Sequence, residues 1–192
     1  MRYVHYFLGI SSVVMSLVVM PGCDAETSNG AGASGNGQTT GEDKGESGAM
    51  TGMTAAHNEV RAKVMPAAAM PLPDLTWSPE IAAVAQAYAE KCIWEHSSNQ
   101  YGENLYATSG GGTPADVVGS WASEAADYDY ATDTCAPNKA CGHYTQVVWA
   151  DTLKLGCGMA KCPDNAPWGN GPWEMWVCNY DPPGNWIGEK PY

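Results

Sequence analysis

The alternation of apolar and polar residues from position 54 onward predicts an amphipathic helix. Thr54 suits the N-cap position, because its hydroxyl can accept a hydrogen bond from a free backbone N–H. Residues three to four positions apart then place His57, Val60, Arg61 and Val64 on one face. A proline-rich stretch that begins at residue 66 cannot continue the helix, so we expect the helix to end there.

Two further helices are predicted by a start pattern that occurs twice. A hydroxyl residue precedes a proline and an acidic residue follows in the first turn, in segments 78–80 (SPE) and 113–116 (TPAD). The helix that starts at 78–80 should run through an alanine-rich segment to about Cys92. The helix that starts at 113–116 should run through Trp121 to about Asp127.

The later part of the chain favours strands. Three segments rich in β-forming residues are separated by Gly, Pro and Asn: Thr145–Trp149, Leu155–Ala160 and Glu174–Asn179. Because helices come first and short strands follow around one core, we expect an α+β domain.

The first 22 residues have the pattern of an export signal. Arg2 precedes an apolar run, and a glycine stands directly before Cys23. A cysteine in that place resembles the lipobox of bacterial lipoproteins, which predicts lipidation of Cys23. The alternative is an ordinary signal peptide at residues 1–22 with Cys23 as an incidental thiol. Both interpretations predict an exported chain, at the cell-envelope surface if it is lipid-anchored.

A flexible tether is predicted between this signal and the folded domain. Residues 24–51 are rich in Gly and Ser and hold no aromatic residue, so they cannot bury enough apolar surface to become ordered. We therefore divide the chain into a signal peptide at 1–22, a lipidated cysteine with its tether at 23–51, and a folded domain at 52–192.

Charge narrows the possible partners. The 192-residue chain has 9 Lys and Arg against 21 Asp and Glu, a formal charge of −12. Binding to nucleic acid or to anionic lipid needs a basic surplus, so neither is expected, and membrane attachment would come only through the lipid anchor. We expect a monomer.

Six cysteines remain in the predicted domain: Cys92, Cys135, Cys141, Cys157, Cys162 and Cys178. An even number in an exported domain predicts three disulfides, although the count alone permits fifteen pairings. A zinc site that uses Cys157 and Cys162 is the alternative, but no CxxC pair accompanies them.

Five motifs of the domain resemble those of a known family. The first two are the segments 142–149 (GHYTQVVW) and 177–186 (VCNYDPPGNW), and three shorter ones lie at 57–61, 102–104 and 121–124. In this order they resemble the CAP superfamily: cysteine-rich secretory proteins, antigen 5 and pathogenesis-related proteins of class 1. The pattern is most similar to the plant class 1 type and covers the whole domain, 52–192.

The resemblance implies a fold and a disulfide pattern. The family fold is a three-layer α-β-α sandwich, in which Tyr144–Trp149 would form a short helix or turn in place of the strand expected above. The implied pairings are Cys92–Cys162, Cys135–Cys141 and Cys157–Cys178.

The resemblance also implies a cleft lined by four side chains: His96, Glu103, Glu124 and His143. In some members such a tetrad binds Zn²⁺ or another divalent cation, and two imidazoles with two carboxylates are competent zinc ligands. The same four are the candidate catalytic residues if a metal-bound water attacks an ester or amide. The alternative is that each carboxylate only holds a histidine by a hydrogen bond, without turnover.

Other residues have plainer interpretations. Ser97 could act as a nucleophile with His96 or His143, but we expect it to form structural hydrogen bonds. His57, Asn58 and Arg61 should tie a helix face to neighbouring loops.

Tryptophans take the place of phenylalanine as large core residues in this domain. Trp149, Trp176 and Trp186 lie in or beside the long motifs and should belong to the core. Trp168 and Trp173, in or beside a loop rich in Gly, Pro and Asn, are the candidates for exposure.

The expected function follows from the resemblance. The first hypothesis is a non-enzymatic module that binds a hydrophobic small ligand, a sterol or fatty acid, or an extracellular partner, with a cleft for a divalent metal. The second is a metal-dependent protease or esterase that uses the tetrad.

Overall fold

A computed structural model describes residues 45–192 of the chain. The predicted signal peptide and the predicted lipidation site Cys23 lie outside the described residues. Among residues 45–192, no helix is both long and apolar enough to span a bilayer.

The described chain forms four α-helices and six strands. In chain order they are α1 Met53–Arg61, β1 Thr76–Trp77, α2 Pro79–Ala89, β2 Gly102–Thr108, α3 Pro114–Ser123, β3 Tyr128–Asp129, β4 Thr134–Cys135, α4 Gly142–Val147, β5 Lys154–Cys162 and β6 Trp173–Asp181. Short 3₁₀ turns lie at Gly48–Met50 and Glu124–Asp127.

The main sheet has the strand order β1-β5-β6-β2. The β1–β5 pair is parallel and the two other pairs are antiparallel, while β3 and β4 form a separate small ribbon. Strand β6 is buried on both faces, so its alternate side chains enter two different cores. Trp176, Cys178 and Tyr180 pack with residues of α1, α3 and α4. Met175 and Val177 pack with Ala85 and Ala89 of α2. The expected three-layer α-β-α sandwich is therefore confirmed.

Helix α2 lies unusually close to the sheet because β5 carries two glycines beneath it. A Cβ on Gly156 would lie 2.2 Å from the backbone nitrogen of Ala82, and one on Gly158 would lie 2.3 Å from Cα of Gln86. The Gln86 side chain reinforces the contact, since it accepts from the Met159 N–H at 3.0 Å and donates to the Met159 carbonyl at 3.1 Å.

The two repeated start patterns are confirmed as helix starts. Ser78 Oγ accepts from the Ile81 N–H at 3.3 Å. Thr113 and Asp116 form a reciprocal capping box at the start of α3. Both helices end somewhat earlier than expected, α2 at Ala89 and α3 at Ser123, where the chain tightens into a 3₁₀ turn.

The start predicted for the first helix is wrong. Helix α1 begins at Met53 after Gly52, which has φ +92°, and Thr54 lies inside the helix. The free N–H groups of Gly52 and Thr54 instead donate to the carboxylate of Glu46, at 2.8 and 2.7 Å. A carboxylate eight residues before Thr54 does the capping, which a pattern of local caps does not reveal.

This contact also moves the start of the packed domain. Met50 is only 8% exposed and belongs to the core next to α1, α3 and α4. Part of the segment assigned to the tether therefore packs against the domain, and the boundary lies before residue 52.

The prediction of the strands needs correction. Residues Gly142–Val147 form α4, so the strand expected at Thr145–Trp149 is wrong and the helix implied by the family resemblance is right. Strand β2, Gly102–Thr108, was not expected, whereas β5 and β6 extend beyond the predicted segments.

All three implied disulfides are present. Cys92–Cys162 links the region after α2 to the end of β5, Cys157–Cys178 crosses between β5 and β6, and Cys135–Cys141 links β4 to the start of α4. The alternative zinc site is excluded, because both Cys157 and Cys162 are engaged in disulfides.

Candidate functional site

The first histidine–glutamate pair joins the loop after α2 to strand β2. Nδ1 of His96 lies 2.9 Å from Oε1 of Glu103, whose side chain is only 6% exposed. The same carboxylate accepts from both the N–H and the hydroxyl of Ser97. Three donors thus converge on one buried carboxylate and hold the loop that carries His96.

The second pair lies at the start of α4. Nδ1 of His143 lies 2.6 Å from Oε1 of Glu124. The other oxygen of Glu124 accepts from the N–H groups of His143 and Tyr144, at 2.9 and 3.1 Å. The imidazole of His143 is nearly parallel to the indole of Trp121, with an interplanar angle of 13° and centroids 6.2 Å apart. Glu124 therefore orients the ring and caps the helix at once.

In both pairs it is Nδ1 of the histidine that faces the carboxylate. A neutral imidazole that donates its Nδ1 hydrogen to a carboxylate keeps a lone pair on Nε2. This arrangement is typical of metal-ligating histidines, in which the carboxylate holds the ring and raises its basicity. The donor set at His96 and His143 is therefore suited to a divalent ion such as Zn²⁺.

The four side chains are arranged as two pairs. Glu103 and Glu124 use their oxygens for histidine and backbone donors. Within residues 45–192, no three His, Cys, Asp or Glu side chains are grouped so that they could hold one metal ion. The structure thus assigns to both glutamates the role of orienting their histidines.

A buried polar chain lies behind the second pair. Nδ2 of Asn104 donates to the His143 carbonyl at 3.0 Å and to the Tyr180 hydroxyl at 3.1 Å. The Tyr180 hydroxyl lies 2.9 Å from Nε2 of His57, and Nδ1 of His57 lies 2.8 Å from the Met53 carbonyl. Every donor meets an acceptor only if His57 is neutral, with its hydrogen on Nδ1. Burial lowers the pKa of His57 to about 4, which agrees with this arrangement.

The predicted structural role of the α1 face is confirmed. Arg61 is fully buried and donates to backbone carbonyls of four residues: Pro73, Val147, Trp149 and Thr152. Asn58 exchanges two hydrogen bonds with the backbone of Leu75. Burial lowers the pKa of Arg61 to about 10, so the guanidinium remains charged at neutral pH.

Ser97 has the hydrogen-bonding role expected for it. Its hydroxyl donates to Glu103, which also holds His96. In a serine nucleophile pair the histidine stands between the serine and the acid. Here the carboxylate stands between the serine and the histidine, so Ser97 is not activated by His96.

The tryptophan predictions are partly wrong. Trp149 and Trp176 are buried as expected, but Trp186 is 52% exposed in the segment after β6, where its Nε1 donates to the Pro183 carbonyl. Of the two candidates for exposure, Trp173 is buried and Trp168 is 55% exposed.

Some functional features were not expected from the sequence. Asn104 and Tyr180 lie within recognised motifs. Tyr180 belongs to the buried strand β6, where a hydroxyl needs a partner, whereas most of β2 around Asn104 is only half-buried. An open groove of about 210 Å³ between α1 and α3 had no signal at all. It is lined by Ala56, Glu59, Val60, Lys63, Ala115, Val118 and Gly119.

The fold, the disulfides and the paired histidines define the class of protein. The sequence pattern of the Cysteine-rich secretory protein family, CAP, matches residues 54–180. The chain belongs to this family.

Relatives from plants and animals agree with this assignment. Pathogenesis-related leaf protein 4 of Solanum lycopersicum is 43% identical over 142 residues, which cover 72% of this chain and 80% of the relative. Peptidase inhibitor 16 of Mus musculus is 44% identical over 143 residues, 73% of this chain, but the match spans only 28% of that longer protein.

Solved structures show the same fold. Venom allergen-like protein 4 of Schistosoma mansoni superposes with a TM-score of 0.59 at 26% identity, over 74% of this chain and 92% of that one. NaASP2, solved with Zn²⁺, has a TM-score of 0.61 at 25% identity, over 82% of this chain and 90% of that one.

Proposed function

We propose that this protein is an exported binding module that holds one hydrocarbon chain, such as that of a fatty acid, in the groove between α1 and α3. The observation that supports this function is the lining of the groove. Its walls are mainly apolar, from Ala56, Val60, Ala115, Val118 and Gly119.

The charge at the groove favours a fatty acid. Lys63 lines the groove and lies 2.6 Å from Glu59 in an exposed ion pair. Exposed ion pairs are weak, so the ammonium can turn to a ligand carboxylate at little cost. The volume of about 210 Å³ lies below the roughly 300 Å³ at which pockets for compact ligands begin. It therefore suits part of an acyl chain better than a four-ring sterol.

Gly119 offers a direct test of the groove. No heavy atom outside its own helix turn lies within 4 Å of a Cβ placed there, and Gly119 lines the groove, so Gly119→Leu should extend its side chain into the groove. Ser120→Leu is the matched control, since Ser120 is exposed on the same helix and does not line the groove. Titration with oleate, followed by calorimetry, should show saturable binding to the native protein and to Ser120→Leu, and none to Gly119→Leu.

Lys63 separates head-group recognition from chain recognition. Lys63→Ala should weaken the binding of oleate but leave that of oleyl alcohol unchanged. If the native protein shows no saturable binding, or Gly119→Leu and Ser120→Leu bind alike, the fatty-acid function is wrong.

A second function is supported by the free Nε2 atoms: binding of a divalent ion. His96 and His143 would hold Zn²⁺, with Glu103 and Glu124 fixing the rings, and such an ion supplies Lewis-acid chemistry when bound. Calorimetric titration with ZnCl₂ should give binding that a His96→Gln/His143→Gln double variant loses, while the Nε2 resonances shift in NMR spectra. Equal zinc affinity in both proteins would disprove this site.

A metal-dependent hydrolase is the less supported alternative. It would need a third protein ligand beside the two histidines, whereas the carboxylates of Glu103 and Glu124 are used by their histidines and by backbone donors. A panel of ester and peptide substrates tests it: hydrolysis that is the same in the native protein and in the double histidine variant rules the tetrad out as catalytic machinery.

Export and anchoring belong to the same proposal. Three disulfides are stable in an oxidising compartment, which supports export. A lipid on Cys23 would then hold an acidic monomeric domain at the cell envelope. Mass spectrometry of the mature N-terminus should find an acylated Cys23, and an unmodified chain that starts at another residue would refute the anchor.

A further inference from the structure

Trp168 is displayed on a loop whose conformation is fixed by its own contacts. Oδ1 of Asp164 accepts from the N–H groups of Asn165 and Gly171, at 2.8 and 2.9 Å, and so closes the loop 163–172 between β5 and β6. Nε1 of Trp173 donates to the Asp164 carbonyl at 2.9 Å. An indole that is 55% exposed on such a loop can bind a ligand with little loss of conformational entropy.

The base of this loop is also anchored covalently and by packing. Cys162, directly before the loop, is bonded to Cys92, and Ala166 within the loop is buried in the core beside α2. Trp173, at the other end of the loop, is in edge contact with Trp94, with centroids 6.0 Å apart. The exposed Trp168 therefore stands on a rigid base.

An open groove of about 390 Å³ begins where this loop leaves the sheet. Its lining includes the two ends of the loop, Pro163 and Pro172, and a glycine-rich turn at 109–111. This volume lies within the range of small-molecule sites. The loop that carries Trp168 thus rises from the rim of a groove large enough for a ligand.

The groove offers hydrogen-bonding groups of both kinds. Glu174 is 7% exposed and accepts from the N–H groups of Gly111 and Gly112 at 3.3 and 3.2 Å, and from the Trp176 indole at 3.4 Å. A carboxylate has about four acceptor positions, so one remains for a ligand hydroxyl. The Lys161 ammonium and the Ser109 hydroxyl line the same groove and can donate.

Charge decides what kind of ligand this combination fits. Residues 52–192 hold seven basic and sixteen acidic side chains, a charge of −9, and Lys161 is the one cationic residue that lines the groove, opposite Glu174. Such a field repels polyanions, including sulfated glycans and anionic lipids. An exposed indole, on a loop whose two ends line a groove with both donors and acceptors, matches the apolar face and the hydroxyl groups of a saccharide.

We propose that the Trp168 loop and this groove form a binding site for a neutral saccharide chain. The indole stacks on the C–H face of one sugar, while Glu174, Lys161 and Ser109 receive the hydroxyl groups of its neighbour. This site is separate from the groove between α1 and α3, so the two activities can be tested independently.

Affinity electrophoresis in gels that contain laminarin or hydroxyethyl cellulose tests the proposal, followed by calorimetry with the matching hexasaccharides. The native protein should be retarded, and Trp168→Ala should weaken binding about tenfold, as truncation of an aromatic anchor does. Trp186→Ala is the matched control, because Trp186 is 52% exposed on another segment, and it should bind like the native protein. Trp168→Ala should also keep the native affinity for oleate.

Three results would overturn the proposal. The first is that the native protein is not retarded by either polysaccharide and gives no heat with the oligosaccharides. The second is that Trp168→Ala and Trp186→Ala lose affinity equally. The third is that Trp168→Ala instead abolishes binding to vesicles of phosphatidylcholine, which would identify the loop as a membrane contact.

Discussion

The two faces of the main sheet are held by different interactions. On the α2 face, glycines at 156 and 158 bring the helix backbone into direct contact with β5, and the contact is apolar and close. On the opposite face, α1, α3 and α4 are tied to the sheet and to loops by buried polar side chains, chiefly His57, Arg61 and Asn104. One face therefore does not tolerate an added atom, and the other does not tolerate a lost partner.

This difference explains where the family motifs lie. All five motifs contribute hydrogen bonds to this second face, including the contacts of Arg61 with the carbonyls of Val147 and Trp149. Asn104, in another of the motifs, donates to the His143 carbonyl at the start of α4. The polar face thus stabilises the fold and positions the candidate site together.

Loss of the Arg61 guanidinium should lower the free energy of unfolding more than any other change proposed below. Arg61→Met removes a donor from the backbone carbonyls of four residues, although the Trp149 carbonyl keeps the Thr152 N–H at 3.2 Å. Each buried carbonyl that is left without a donor costs about 1–3 kcal/mol. Allowing for partial rescue by water, we expect urea unfolding to show a loss of about 4 kcal/mol. Arg61→Lys should lose less, because one ammonium can still serve some of the carbonyls. Equal stability of Arg61→Met and the native protein would contradict the role assigned here.

An added methyl group on the α2 face should lower the free energy of unfolding somewhat less. Gly158→Ala places a Cβ 2.3 Å from Cα of Gln86, so α2 must shift away from the sheet. Overpacking typically costs about 1–3 kcal/mol, and we expect the upper end of this range here because the obstacle is backbone. Gly119→Ala is the control, since its Cβ enters open space and should raise stability by up to about 1 kcal/mol. Thermal unfolding of both variants measures the contrast, and equal effects would contradict it.

Low pH should reduce the stability of the folded protein through protonation of His57. Its pKa is lowered from 6.5 to about 4 in the folded protein, so the unfolded chain takes up the proton first. The stability contributed by neutral His57 is therefore complete above about pH 6.5 and declines as the pH falls toward 4. Between pH 7.5 and 5 we expect a loss of about 2 kcal/mol from this group.

The variant His57→Gln isolates that contribution. It should be less stable than the native protein at pH 7.5, but its stability should fall less between pH 7.5 and 5, as urea titrations at both values would show. If both proteins lose the same amount over this range, the acid sensitivity does not come from His57.

The helix caps should have the smallest effect and should be equal on the two faces. Ser78 caps α2 and Thr113 caps α3, each through one hydroxyl. Ser78→Ala and Thr113→Ala should each lower the free energy of unfolding by about 1 kcal/mol. A much larger loss for either one would show that the cap also supports tertiary contacts on its face.

Local signals predicted the helix starts that depend on neighbouring residues. Ser78 and Thr113 cap N–H groups only three residues away, so the sequence pattern contains the whole interaction. The start of α1 depends on Glu46, and the exposure of Trp186 depends on how the chain passes the sheet after β6. These two predictions failed because the deciding contact lies outside the local pattern.

The candidate site was predicted only through the family motifs. His96 and Glu103 are 7 residues apart and Glu124 and His143 are 19 apart, and neither separation by itself predicts a hydrogen bond. The motifs identified the four residues, whereas their division into two pairs and the orienting role of both glutamates follow from the structure.

The sequence by itself determined the family, the three disulfide-forming cysteine pairs through that family, and the two helix starts, because motif identity and short-range caps are encoded in adjacent residues. Only the tertiary structure decided which histidine meets which carboxylate, where the grooves lie, and that Trp168 and not Trp173 faces solvent. These features depend on the distance between segments far apart in the chain, and the packing of α2 on one face and α1, α3 and α4 on the other sets those distances.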